Sequence, residues 1–265
     1  MEPFKQKSIR QYRCFDSYTN ITAGLTTRNG GHSEPPFDTL NMGLHVSDDS
    51  EKVIRNRNRL AEELDLSMKQ WIIGEQVHGT KIQVVDRSMT GSGALSLDSA
   101  VQGVDGLITN ETDLVLGAFY ADCVPLYFYD PVAEWVGIAH AGWKGTVNGM
   151  AAEMVNALRE KGCHPKNIQA VVGPSISQRH YEVDQKVMDH IPDPYKQVCA
   201  EKNAAGKYQL DLKALHKKIM IENGVPEGNI QVSGACTYEE KTLFYSHRRD
   251  QGKTGRMLGF IALRA

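Results

Sequence analysis

A layered α/β (α+β) domain with a mixed sheet is the fold class the sequence predicts. Three observations carry that reading. Much of the first half is a succession of short apolar runs broken by glycines and polar turns, helical and extended patterns alternate after Thr146, and no G-x-G-x-x-G follows a strand. With no internal repeat, low-complexity tract or interdomain linker, residues 1–265 read as one domain, with residues 1–20 as an N-terminal extension.

Taken in order, Ile21 to Thr27 reads as a strand, and the Gly/Pro-rich segment from Arg28 to Pro36 as a loop able to approach a ligand. Asp48 to Leu64 reads as a surface helix. Asp48, Asp49 and Ser50 offer N-caps, Val53, Ile54, Leu60, Ala61 and Leu64 share a face, and Arg55, Arg57 and Arg59 lie on or near the polar side. Trp71 to Ile73, Lys81 to Val85, Val104 to Thr109 and Leu114 to Tyr120 read as strands, with a loop from Ser88 to Val101.

Two longer apolar runs follow, Val124 to Tyr129 and Trp135 to Ala139, separated by an Asp130-Pro131 turn. Thr146 to Lys161 reads as one helix, because Val147, Met150, Ala151, Met154, Val155 and Leu158 keep helical spacing and Gly162 supplies a C-cap. Ile168 to Val172 (strand), Asp184 to His190 (helix), Tyr208 to Leu210 (strand) and Asp211 to Glu222 (helix) come next. Asn229 to Ser233 and Met257 to Leu263 complete the sheet.

The 265 residues are 41% hydrophobic and 23% charged with a net charge of −2, a balance that gives no general affinity for nucleic acid or an anionic membrane. The start, MEPFKQKSIRQYRCF, lacks the apolar core of a leader, and no run approaches the roughly 20 apolar residues of a spanning helix. Five scattered cysteines argue against a disulfide framework, so a cytoplasmic protein with reduced thiols is expected.

The stretch from Tyr120 to Gly149 organises the chemistry. If its two apolar runs fold back on each other, Cys123 and His140 land at one end of a sheet, where a thiol beside an imidazole makes either a metal site or a nucleophile with its base. His78, at a glycine-marked break between strands, would complete a Cys-His-His set with one coordination position left open. The spacing matches no local zinc-ribbon motif. The plain alternative is a buried small Cys123 and two hydrogen-bonded strand-end histidines.

Further candidates are Gly142-Trp143-Lys144-Gly145-Thr146, which could hold a phosphate at a helix start or be a tight turn, and the basic run Ser246 to Arg256. The GKT in that run is not a P-loop, because His247 stands where the first glycine is required. Its cluster of Arg248, Arg249, Lys253 and Arg256 could lie in a solvated turn or contact phosphate through one arginine, with Arg248 and Arg249 the leading candidates. Arg28 and Asn41 flank the Gly/Pro loop and are well placed if that loop lines a pocket. Asp105 and Asp122 are the carboxylates available for proton transfer, or else loop-bonding residues.

The motifs TTRNGGHS, LNMGLHVSDD, VIRNR, QVHGT, VDGLIT, ADCVPLYFYDP, AHAGWKGTVNG, VGPSIS, YEV and SHRRDQGKTGRMLGFI occur in this order. From about Ile21 to the C-terminus they resemble the multicopper polyphenol oxidase (laccase-domain) family, more recently named purine nucleoside phosphorylase. The resemblance implies a compact α-β sandwich similar to the catalytic domain of cytotoxic necrotizing factor toxins. It also implies a zinc site at His78, Cys123 and His140.

The implied activities are phosphorolysis of adenosine, inosine, guanosine and methylthioadenosine, together with adenosine deamination. Inorganic phosphate is the co-substrate, and Arg28, Asn41, Lys144, Arg248 and Arg249 are candidates for holding it or the nucleoside. His78, Cys123, His140 and Asp122 are the catalytic candidates, and a monomer or homodimer is expected. A trinuclear copper centre uses paired His-x-His ligands, and the chain contains no His-x-His, so copper would bind adventitiously. A metal-independent Cys123/His140 amidase-type hydrolase and a metal-carrying interaction module are the competing readings.

Overall fold

A computed structural model describes residues 1–265. The chain begins with β1 (Lys5–Gln6), β2 (Gln11–Cys14) and β3 (Ile21–Thr26), then α1 (Ser50–Leu64), β4 (Trp71–Ile73), β5 (Ile82–Val84), β6 (Gly106–Thr109) and β7 (Val115–Tyr120). The central part is β8 (Val124–Asp130), β9 (Trp135–Ala141), α2 (Trp143–Val147), α3 (Met150–Glu160) and β10 (Gln169–Val172). Then come β11 (Glu182–Val183), α4 (Gln185–Met188), α5 (Asp193–Cys199), β12 (Ala200–Lys202), β13 (Tyr208–Leu210), α6 (Leu212–Glu222), β14 (Ile230–Val232) and β15 (Met257–Leu263).

Two mixed sheets result, ordered β1-β2-β3-β15-β7-β4 and β14-β10-β8-β9-β6-β5, with a small sheet β11-β13-β12 beside them. Parallel pairs occur at β4–β7, β5–β6 and β10–β14; the neighbours in the middle of each large sheet are antiparallel. The single sheet expected from the sequence is therefore two. β14 edges one of them while β15 sits inside the other.

Side-chain alternation assigns the layers. Tyr127, Tyr129 and Ile138 meet Leu116, Ala118 and Ile261 in a core between the sheets. The opposite faces of β8 and β9, with Leu126, Phe128 and Ala139, pack on Met154 and Leu158 of α3 and Leu215 and Ile219 of α6. On the far side, Leu258 and Phe260 of β15 pack with Leu60 and Leu64 of α1. The order is helix, sheet, sheet, helix, which explains why β8 and β9 read as continuous apolar runs: both of their faces are buried.

Several sequence expectations change in detail. The helix expected over 146–161 is two, α2 and α3, broken where Gly149 takes a left-handed φ of 87°. Residues 1–20 carry β1 and β2, and Phe4, Cys14 and Phe15 are buried in the core between the sheets, so this segment is part of the sandwich. Arg57 is fully buried: its guanidinium donates to the carbonyls of Met42, Gly93 and Ala94 and lies 4.8 Å from the Phe119 ring. It thereby pins the 88–101 segment. All five cysteines are free, and no helix is long and apolar enough to cross a membrane.

Candidate metal centre and its cavity

The β8–β9 hairpin brings two of the candidate ligands, Cys123 and His140, together. Asp130 closes its turn by accepting the N–H groups of Val132 (2.8 Å) and Ala133 (3.1 Å). The register pairs Val124 with Ala141 and Pro125 with His140, so Cys123 stands one residue beyond the last pair, at the end of the sheet where His140 also lies. Seven paired residues on each strand leave this juxtaposition little freedom to slip.

The third candidate ligand, His78, arrives on a loop shaped by a carboxylate. Asp105, just before β6, accepts the backbone N–H groups of Val77 (3.0 Å), His78 (3.0 Å) and Gly79 (2.8 Å). Gln76 and His78 both hold φ near +60°, a conformation costly for a side-chain-bearing residue and maintained here by that carboxylate. Gln76 also brackets the backbone of Phe119, donating to its carbonyl (2.9 Å) and accepting its N–H (2.7 Å), so a side-chain amide continues the pairing where β4 has ended.

Asp105 has a second role. Its Oδ1 lies 2.9 Å from Nδ1 of His140. Burial works against its charge, but the hydrogen bonds from His140, Gly79 and His78 hold its pKa below the usual carboxylate value. The ionised carboxylate accepts a hydrogen bond from Nδ1–H, so that Nε2 is the nitrogen of His140 that could serve as a ligand once deprotonated.

The ligand atoms of His78, Cys123 and His140 all lie within 4.8 Å of one another, with His140 buried, Cys123 partly buried and His78 exposed. Burial pushes the Cys123 thiol up, but His140 and His78 outweigh it and bring the pKa down to about 6. Burial opposes charge on His140 too; Cys123 and Asp105 lift it to about 9. Without metal the pair is therefore polarised towards thiolate and imidazolium near neutral pH. Gly142 seals the back of the group: a Cβ there would lie 3.1 Å from Cδ2 of His78 and 3.2 Å from Sγ of Cys123.

The group opens into a cavity of about 790 Å³ whose walls include His45, Phe119, Trp143, Lys144, Tyr181, His247, Arg248 and Arg256. Of the sequence-predicted residues, His78, Cys123, His140, Asp122, Lys144 and Arg248 are brought together here. Asp122, with φ +81°, has both carboxylate oxygens engaged. Oδ1 accepts from Thr237 Oγ1 (2.6 Å), and Oδ2 accepts from Ser246 Oγ (3.0 Å) and the N–H of Arg248 (2.7 Å). It ties the 237 and 246–248 loops to the β7–β8 turn.

Arg28, Asn41 and Arg249 lie outside the cavity lining, which departs from the expectation of direct contact. Arg28 pairs with Asp38 (3.2 Å) and stacks on Tyr245, and Arg249 pairs with Asp250 (2.8 Å) and donates to the carbonyls of Thr237, Tyr238 and Phe244. Asn41 is fully buried; its Oδ1 accepts the N–H groups of Gly43 and Arg256, so it acts on the cavity through Arg256.

His45, Phe119 and Tyr181 carry no signal in the sequence, and Arg256 stands out there only as one member of the basic cluster after Ser246. They come from separate parts of the chain with no common spacing, Phe119 from β7 and the others from loops, and only the fold brings them together. His45 faces the cavity with its ring 5.5 Å from that of Phe119. Surrounding protein, then Arg256 and Arg57, lower its pKa to about 4, so the ring is neutral. Arg248 lies over the Tyr181 ring at 5.1 Å and donates to the carbonyl of Glu182.

Fold and site define a class: a two-sheet α/β sandwich that presents an imidazole–thiol–imidazole group at the edge of a deep cavity with cationic walls. Residues 22–264 match the family model described as multi-copper polyphenol oxidoreductase laccase, and the chain belongs to this family. It is 46% identical over 247 residues to purine nucleoside phosphorylase YlmD of Bacillus subtilis, covering 92% of this chain and 89% of the relative. To the Geobacillus stearothermophilus YlmD it is 44% identical, covering 98% of this chain and 97% of that protein. The crystal structure of the latter superposes with a TM-score of 0.97 over the whole of both chains. That of Bacillus licheniformis hypothetical protein YfiH does so at 0.96 and 43% identity, again over both whole chains.

Proposed function

We propose that this chain is a zinc-dependent purine nucleoside phosphorylase acting on adenosine, inosine, guanosine and methylthioadenosine, with adenosine deaminase activity. The carrying observation is the His78–Cys123–His140 group opening into a cavity lined by Lys144, Arg248 and Arg256. The relatives named purine nucleoside phosphorylase support the reaction class. Two imidazoles and a thiol poised to ionise suit zinc in the three-ligand form that keeps a position open. When bound there, the metal supplies Lewis-acid activation at that open position.

The chain's own residues do the rest. Asp105 keeps the His140 proton on Nδ1. Lys144, Arg248 and Arg256 hold phosphate against the developing positive charge of the sugar. Phe119 and Trp143 offer apolar faces to the purine, and the neutral His45 ring has both a donor and an acceptor for its edge. Asp122 holds the cavity wall, and Arg28, Asn41 and Arg249 support it from behind. A cytoplasmic location suits the free thiols.

The test is metal analysis with inosine and adenosine turnover, each with and without phosphate. About one zinc per chain and phosphate-dependent inosine consumption, both lost in Cys123→Ser, are expected. Metal-free protein that still consumes inosine would refute the reading.

One observation favours a second reading: the thiolate–imidazolium polarity of Cys123 and His140 is that of a cysteine hydrolase. In that case chelator-treated protein stays active and loses activity when Cys123 is alkylated.

A further inference from the structure

His216 of α6 has no solvent exposure and stands outside the cavity lining, in the core between α6 and the second sheet. Its Nε2 lies 2.9 Å from Oγ1 of Thr146, which is itself fully buried in α2. Thr146 Oγ1 donates its only proton to the carbonyl of Gly142 at 2.9 Å. The hydroxyl therefore accepts from His216, whose proton must sit on Nε2. The remaining ring nitrogen, Nδ1, is buried without a partner.

Thr146 does not need this bond to satisfy its hydroxyl proton. A helical threonine is satisfied by its bond to the carbonyl four residues back. Burying an imidazole with one orphaned nitrogen is unfavourable, and an apolar replacement would leave the threonine hydroxyl still bonded to the Gly142 carbonyl. The surrounding face of α6, with Leu212, Leu215 and Ile219, would accommodate a leucine. What the bond does achieve is a fixed link from α6 to the first turn of α2, ending on the glycine that packs against His78 and Cys123.

We propose that His216 is a positioning residue for the metal centre. Through Thr146 it holds the Gly142 backbone against His78 and Cys123, and holds Trp143 and Lys144 at the cavity wall. The proposal rests on the metal reading above and on neither nucleoside chemistry nor phosphate.

The experiment measures the affinity of full-length protein for Zn2+ by competition with a chelator, together with thermal unfolding of the metal-free form. His216→Leu is expected to unfold at or above the parent's temperature while retaining zinc roughly tenfold more weakly, the lower end of what loss of an outer-shell support costs. His216→Gln, whose amide nitrogen can stand where Nε2 does, is expected to restore most of that affinity. Thr146→Val should reproduce the loss and Thr146→Ser recover it, with the His216→Leu/Thr146→Val double variant no worse than either single one.

Zinc affinity within twofold of the parent in His216→Leu overturns the proposal. So does a loss of affinity that tracks a loss of thermal stability equally in His216→Leu and His216→Gln, since that marks a purely structural residue. If His216→Leu does not fold, the two Thr146 variants decide in the same way. A parent that binds no zinc refutes the metal reading itself, whereas a parent that binds zinc as tightly as its variants refutes only the role of His216.

Discussion

Oδ1 of Asp105 sits 2.9 Å from Nδ1 of His140, and the same oxygen accepts the backbone N–H of His78 at 3.0 Å. One carboxylate thus sets the ring of one candidate ligand and the loop of another. Asp105→Asn is expected to weaken zinc retention by about tenfold to a hundredfold, because the amide cannot serve both a ring N–H and three backbone donors as an ion does. It should also lower stability by about 1–3 kcal/mol through the poorly satisfied loop. Chelator competition and thermal melting measure the two effects separately.

Gly142→Ala tests the back of the site. The backbone there has φ −71°, which any residue adopts, so the cost is steric alone. The new Cβ would stand 3.1 Å from the His78 ring and 3.2 Å from the Cys123 sulfur, closer than ordinary van der Waals contact. Displaced ligands with an intact fold are the expected outcome: unchanged circular dichroism with metal content well below that of the parent.

The cations divide into two groups. Lys144→Ala, Arg248→Ala and Arg256→Ala are expected to raise KM for phosphate, with roughly a tenfold effect for the residue in direct contact, while zinc content is unchanged. Arg249→Ala should instead lower the melting temperature, by about 1–3 kcal/mol of stability, since it removes the donor to three loop carbonyls. Initial rates over a phosphate series and thermal melts distinguish the two behaviours.

The pH dependence should appear in metal binding rather than in folding. Taken alone, the lowered Cys123 pKa would contribute stability above its ordinary value of 9.0 that is lost as pH falls through about 6. The raised His140 pKa would contribute stability below 6.5 that is lost as pH rises through about 9. The two oppose each other: the unfolded chain sheds these protons near 6.5 and 9.0, the folded metal-free chain near 6 and 9. Its stability should therefore change little across this range on their account. Zinc binding must displace the remaining imidazolium proton, so its affinity should rise by about tenfold per pH unit between 6 and 9 and more steeply below 6. Isothermal titration in buffers of different ionisation enthalpy counts the released proton.

Much of the first site shell was legible because it lies on local pattern. Cys123 and His140 flank one hairpin whose turn residue, Asp130, is visible in the chain, and His78 sits at a glycine-marked break. Asp105 is one of two candidate carboxylates in the sequence, but its geometry as an orienting anion depends on the pairing of the residues beside β6 and β9. Arg57 shows where pattern misleads. Its place on the polar side of α1 describes the helix alone, and the 88–101 segment covers that side.

The longer strands and helices, the family and the three residues of the candidate metal centre are legible in the sequence alone, because these depend on side-chain periodicity, turn chemistry and contiguous motifs. The two-sheet arrangement, the cavity that His45, Tyr181 and Arg256 share with Lys144 and Arg248, and the engagement of Arg28 and Arg249 with partners outside its lining come from the tertiary structure. Strand order and loop convergence arise from contacts between residues far apart in the chain. Those contacts leave no local period to read.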